Sequence, residues 1–243
     1  MDKRLDKLKR IEANFAKNSY FGCFDAPIFS YIDHKSHVCL TAPHATNSTV
    51  RKHLKGSDWF TGGIVSYLGE ENNLSYIIRN KYFYKKYTIS SFILKNHLEH
   101  HYFLDIHAMK SRPFDLAVGI GYCKPDDYKK ELAIIQKLCQ KYRLKYVINH
   151  PSYTGQPGLT GRLQRKLSQA TVLQLEWHPK YRDFNKNPTK VLNITIPFIK
   201  ELALALNSLH KATLPYLITT RYTLIQKFKN KINWIKYILT RKL

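Results

Sequence analysis

Four residues of this 243-residue chain stand out for what their side chains could do together: His44, Asp58, His107 and Glu176. Two imidazoles and a carboxylate are the donor types that hold zinc in hydrolases, where three protein ligands leave one position open and the metal raises the acidity of water. Glu176 follows Val172-Leu173-Gln174-Leu175, a run that reads as buried strand, so its carboxylate is expected in low dielectric beside something that compensates it. There it could take the proton of an attacking water and deliver it to a leaving amine, the general base and acid role. Blander readings stand beside these. A histidine at a strand end is often satisfied structurally, Asp58 suits the N-cap of a helix, and Glu176 could pair with a buried arginine.

Three further side chains join the candidates. Asp105 precedes His107 by two residues on a strand, so both point to one side, and Asp105 could accept from an imidazole rather than bind metal itself. Arg112, just past His107, and Arg162, in the stretch after the glycines Gly155 to Gly161, carry guanidinium groups suited to capturing a substrate carboxylate or steadying an oxyanion. Among forty lysines and arginines, either is equally a solvated surface charge.

The elements that must position these residues follow from periodicity. Residues 2 to 18 set Leu5, Leu8, Ile11 and Phe15 at three- and four-residue steps, a short amphipathic helix. His37 to Ala42 reads as a strand ending at Pro43 and His44, and Trp59 to Leu68 as a helix begun by Ser57 or Asp58 as its cap. Tyr102 to Ile106, Leu116 to Ile120, Tyr146 to Ile148 and Thr171 to Leu175 have strand character, and Lys129 to Tyr142 has helical period. The alternation predicts a single α/β domain with a mixed, mostly parallel sheet and flanking helices. His44, His107, Asn149-His150 and Glu176 with His178 each follow a predicted strand. They are expected to converge at the carboxyl edges, where sites form in such sheets.

Composition bounds the rest. With 44% hydrophobic and 13% aromatic residues the chain can bury one core, read as residues 20–219 between a basic amphipathic segment at 1–19 and another at 220–243. From Arg221 to Leu243 there are seven basic residues and no acidic one, with Leu224, Phe228, Ile232, Ile235 and Leu239 on one helical face. That pattern fits peripheral contact with an anionic membrane surface as well as it fits packing on the domain. The net charge of +23 favours acidic partners, although richness in Lys, Asn, Tyr and Ile is also what AT-rich coding produces. No aromatic-interleaved nucleic-acid motif is present, which argues against nucleic acid as the partner. Four scattered cysteines fit a reduced compartment. A charged start with no signal-like apolar run predicts a cytoplasmic location, with the inner membrane face as the site of any peripheral attachment.

With these residues assembled, the chain resembles the N-formylglutamate amidohydrolase family, relatives of the zinc carboxypeptidases and the aspartoacylase group. The likeness rests on Ala42-Pro43-His44-Ala45, Gly56-Ser57-Asp58-Trp59-Phe60-Thr61, Leu104-Asp105-Ile106-His107-Ala108-Met109, and Gly158-Leu159-Thr160-Gly161-Arg162 leading to Leu173-Gln174-Leu175-Glu176. The resemblance implies a phosphorylase/hydrolase-like sheet, one zinc ion on His44, Asp58 and His107, Glu176 as the catalytic carboxylate, and hydrolysis of an N-acyl amide on a small acidic amino-acid derivative. The chain departs from the family where Ala45-Thr46-Asn47 stands in place of a glycine after the first histidine, and at Tyr76-Ile77-Ile78-Arg79-Asn80. The competing expectation is a non-catalytic protein that binds anionic surfaces on a hydrolase-like scaffold.

Overall fold

The computed structural model describes residues 2–50, 53–85, 87–167 and 169–213. The basic stretch at 220–243 lies outside them.

Seven strands form one sheet in the order β1 (Phe29–Ile32), β5 (Ser75–Arg79), β2 (Val38–Ala42), β6 (Tyr102–Ala108), β9 (Thr171–Trp177), β7 (Leu116–Gly119), β8 (Tyr146–Ile148). The four strands at the centre, β5, β2, β6 and β9, run parallel. β1 joins β5 antiparallel, β7 joins β9 antiparallel, and β8 follows β7 in parallel. The sheet is thus mixed and mostly parallel. A separate two-stranded hairpin, β3 (Ser48–Val50) with β4 (His53–Lys55), stands between β2 and the next helix.

Helices cover both faces, which is why every residue of β2 and of β5 is buried. On one face Val38, Leu40, Leu104, Ile106, Leu173 and Leu175 pack under α1 (Lys3–Tyr20), α2 (Thr61–Asn72), α4 (Lys129–Lys141) and α8 (Ile196–Thr213). On the other, Cys39, Ile77, Phe103 and Val172 meet Ile89 and Ile93 of α3 (Ile89–Lys95) and Leu159 and Leu163 of α5 (Leu159–Lys166). Two short helices, α6 (Pro179–Arg182) and α7 (Pro188–Lys190), link β9 to α8. The stretch Pro188–Leu209 is long and apolar enough to cross a membrane by length and composition, yet its Val191, Phe198, Ile199, Leu202 and Leu206 are core residues.

Three expectations change here. α2 starts at Thr61, and its N-cap is Phe60 at φ +75°, with no capping side chain; neither Ser57 nor Asp58 caps it. β6 and β9 extend past their predicted ends, so His107 and Glu176 lie within strands rather than after them. β7 and β8 run against β9, so the carboxyl end of β8, with Asn149, points away from the edge where β2, β6 and β9 end. The Asn149 side chain accepts from Ile120 N at 2.9 Å, and the His150 ring lies 5.2 Å from Phe114 and 5.4 Å from Tyr153.

The donors left open at the start of α2 are met from α1. Glu12 is 4% exposed and accepts from Phe60 N and Gly63 N, each at 2.8 Å. Leu8 and Phe15 are buried beside it, and three consecutive left-handed residues, Asn18, Ser19 and Tyr20 at φ 53°, 53° and 65°, end the helix. Such residues cost of order 1 kcal/mol each, so the surrounding contacts must hold them. Asn47 does so, donating to Tyr20 O from its backbone at 2.8 Å and to Ser19 O from its side chain at 3.2 Å.

Burial raises the Glu12 carboxyl from 4.5 to about 7, against the pull of the Phe60 and Gly63 N–H groups. Between those values the folded protein keeps a proton that the unfolded chain has lost. The stability this group contributes is therefore full below pH 4.5 and is lost as pH rises through about 7. The loss amounts to about 3 kcal/mol. Urea denaturation of chelator-treated protein across this window should show stability falling with pH, with a smaller fall in Glu12→Gln; equal slopes in the two proteins contradict the raised value.

Candidate active site

Parallel register builds the site in rows on the face that carries α3 and α5. The row Cys39, Phe103, Val172 is apolar; two residues further along, Thr41, Asp105 and Gln174 stand abreast; two further still, His107 pairs with Glu176. Side chains alternate across a strand, so all three rows share one face, and the chemistry begins where the apolar row ends.

His107 is the hub. Its Nδ1 lies 2.9 Å from Asp58 Oδ2 and its Nε2 lies 2.9 Å from Asp105 Oδ2. Asp105 in turn accepts at Oδ1 from Thr41 Oγ1 at 2.6 Å. Asp58 arrives from the loop between β4 and α2, where its N–H donates to His44 O at 2.7 Å. Lys55, from the β3–β4 hairpin, donates to Asp58 Oδ1 at 3.1 Å. The His44 ring centroid is 5.2 Å from that of His107, and His44 Nδ1 is 2.9 Å from Ser48 Oγ, which leaves Nε2 as its other ring nitrogen for the site. Arg79 steadies the turn that carries His44, donating from Nε to Pro43 O at 3.0 Å and from Nη2 to Tyr87 O at 2.6 Å. Gln174 Nε2 donates to Glu176 Oε1 at 2.7 Å.

Charge balance follows from burial. Burial by itself depresses His107, but Asp105, then Asp58 and Glu176, outweigh it and hold the imidazole well above its usual value. Burial works against Asp58 too, and Lys55, His107 and His44 together keep its carboxyl well below the ordinary range. His44 is pushed well below its usual value by burial and then by Lys55, so it is neutral. Glu176 rises to about 7, chiefly by burial, with His107 the main opposing influence. The site therefore holds one imidazole, His107, whose charged form is favoured, a neutral imidazole, His44, beside it, and a carboxyl, Glu176, raised to about 7.

The donor set suits zinc: two imidazoles, one carboxylate that faces His107, and Asp105 on the far nitrogen, the outer partner that fixes a ligating histidine. Among the described residues no three His, Cys, Asp or Glu side chains close around a common point as they stand. The His107 nitrogen that faces Asp58 is engaged in a hydrogen bond to it, and a metal held there would take the place of that proton.

The two arginines singled out from sequence make their hydrogen bonds outside the network around His107. Arg112 is exposed, with Nε 3.4 Å from Tyr153 OH. Arg162 donates from Nη1 to Thr88 Oγ1 at 3.0 Å, at the start of α3. The guanidinium whose charge bears on Asp58 and Glu176 belongs to Arg182, on α6, which donates to Trp59 O at 3.0 Å. Lys55 and Arg182 were not distinguishable among forty basic residues; their signal is position, three before Asp58 and just past the strand that ends with Glu176. Thr41 and Ser48, both buried, could be read from sequence only once the register was known.

The sequence matches no known family profile, and no curated protein is similar to it in sequence. Solved structures are similar in fold. A bacteriophage poly-gamma-glutamate hydrolase superposes with a TM-score of 0.52 at 12% identity, over 75% of this chain and 91% of that one. N-formylglutamate amidohydrolase from Ralstonia eutropha gives 0.51 at 9% identity, over 78% of this chain and 100% of that one. A gene product from Agrobacterium tumefaciens gives 0.50 at 11% identity, over 76% of this chain and 95% of that one. The chain shares the α/β fold of these proteins: one domain whose mixed, mostly parallel seven-stranded sheet has helices on both faces.

Removing the Thr41 hydroxyl with Thr41→Val keeps the volume but strips Asp105 Oδ1 of its donor in a place that water does not reach. We expect a loss of about 1 to 3 kcal/mol in urea denaturation. Wild-type stability in this variant would mean that Asp105 finds its donor elsewhere.

Proposed function

We propose that the protein is a zinc-dependent amidohydrolase that cleaves an N-acyl amide on a small acidic amino-acid derivative. One observation carries the reading. Strand register seats the buried Glu176, with its raised carboxyl, directly beside His107, which itself faces Asp58 and lies near His44. The fold shared with an N-formylglutamate amidohydrolase and a poly-gamma-glutamate hydrolase, both enzymes that act on amides of glutamate by name, supports the class and the acidic substrate.

His44 and Asp58, with His107, would hold the metal, and zinc bound there supplies Lewis acidity toward the amide carbonyl and lowers the pKa of water. Glu176 has one oxygen, Oε1, committed to Gln174 Nε2; Oε2 is the atom free to accept a proton from water and pass it to the departing nitrogen. A carboxyl near 7 suits both halves of that task, since it is neither too acidic to accept nor too basic to give. Asp105 keeps the His107 ring in one orientation by holding its Nε2. The positive charges of Lys55 and Arg182 lie on the side of Asp58, where they favour an anionic substrate over a neutral one.

Elemental analysis of purified protein should give about one zinc per chain. Glu176→Gln should keep that metal while lowering kcat on N-formyl-glutamate by about a thousandfold. Protein that carries no zinc after zinc loading, or a Glu176→Gln variant with wild-type turnover, overturns the proposal.

A further inference from the structure

The loop that delivers Asp58 is short and tightly specified. Asp58 donates to His44 O, and its own carbonyl accepts from Thr61 N at 3.2 Å and from Thr61 Oγ1 at 2.7 Å. Two residues on, Phe60 takes the left-handed conformation that turns the chain into α2. A bulky residue rarely holds that conformation unaided. Its aid comes from α1, where Glu12 Oε1 accepts from Phe60 N and from Tyr20 OH at 3.1 Å, and Oε2 accepts from Gly63 N.

Three donors on one carboxylate is a demanding arrangement, and the helices meet closely to achieve it. A Cβ on Gly63 would lie 2.8 Å from Glu12 Oε2, and one on Gly62 would lie 2.7 Å from the Phe15 ring. The left-handed turn at Asn18 to Tyr20 serves the same end from the other side. It brings the Tyr20 hydroxyl to Glu12 and sets its ring 5.7 Å from Trp59, nearly parallel at 15°, so α1 touches both residues that follow Asp58. Glutamine offers one acceptor where glutamate offers two, and its amide would face a backbone N–H.

We propose that Glu12 is a positioning residue of the active site: by holding Phe60 N and Gly63 N from the N-terminal helix, it sets the turn that presents Asp58 to His107. This rests on the reading of Asp58 as part of the site. The N-terminal segment is then a working part of the site rather than an appendage to the domain. The strained turn at its end and the glycines of α2 are the means by which it reaches.

The test uses the full chain in three variants, Glu12→Gln, Glu12→Asp and Leu8→Val, the last a buried change on α1 that leaves the cap untouched. The first readout is the His107 side-chain nitrogen signals of chelator-treated protein, calibrated with Asp58→Asn; the second is zinc affinity by competition titration. Glu12→Gln should move the His107 Nδ1 signal toward that of Asp58→Asn and weaken zinc roughly tenfold. Glu12→Asp, which keeps the carboxyl group and shortens the reach, should move both in the same direction, and it substitutes for Glu12→Gln if that variant does not fold. Leu8→Val should lower the melting temperature by a few degrees and leave both readouts at wild type. Glu12 variants with wild-type His107 signals, or a Leu8→Val protein that reproduces their shifts, overturn the proposal. If the wild type binds no zinc, the proposed function fails by itself, and the His107 signals still decide the role of Glu12.

Discussion

The constraint on which this structure turns is the burial of charge around His107. An imidazole shut away from water between two carboxyl side chains depends on the partners that those side chains have in turn. Thr41 serves Asp105, Lys55 serves Asp58, and Gln174 serves Glu176, each from a different element. Removing any of these partners leaves a charge or dipole exposed to low dielectric. The sheet supplies three of the participating strands at fixed spacing, and the β3–β4 hairpin brings Lys55 to Asp58.

That constraint explains what could be read from the chain. The rows of the site were legible because strand parity is rigid: Asp105 and His107 on one side, Glu176 at the end of an apolar run, His44 just past Ala42. The class of fold was legible for the same reason, from strands alternating with helical periods. The direction of β7 and β8 was not, because an apolar run of four residues carries no mark of which way it pairs. The start of α2 was misread because its cap comes from forty-eight residues away, and local rules look only for a nearby side chain. Arg112 and Arg162 carry no mark of their own in the sequence, because charge excess gives every arginine the same weight.

Low identity with a shared fold is also intelligible in these terms. The apolar rows tolerate any side chains of the right volume, so 9 to 12% identity suffices to keep the sheet and its helices. The polar rows tolerate little, since each member is matched to its neighbour by hydrogen bonds. Of the two departures from the pattern the chain resembles, Tyr76-Ile77-Ile78-Arg79-Asn80 lies mostly in β5, and Ala45-Thr46-Asn47 lies in a loop where this chain has built its own contacts. Asn47 is one, tying the end of α1 to Ser57, whose N–H it accepts at 2.9 Å.

The parallel pairing of β2 with β6 and of β6 with β9 has a consequence for how the protein comes into being. Thr41 and Asp105 are 64 residues apart in the chain, and Glu176 arrives on β9, the last strand among the described residues. Closing loops of that size costs entropy that only long-range contacts repay, so these pairings form late and slowly. A chain synthesised only through β6 holds Thr41, Asp105 and His107 but lacks Gln174 and Glu176, so these rows have no neighbour on one side until β9 is made. The polar rows on this face can therefore close only when β9 joins the central sheet.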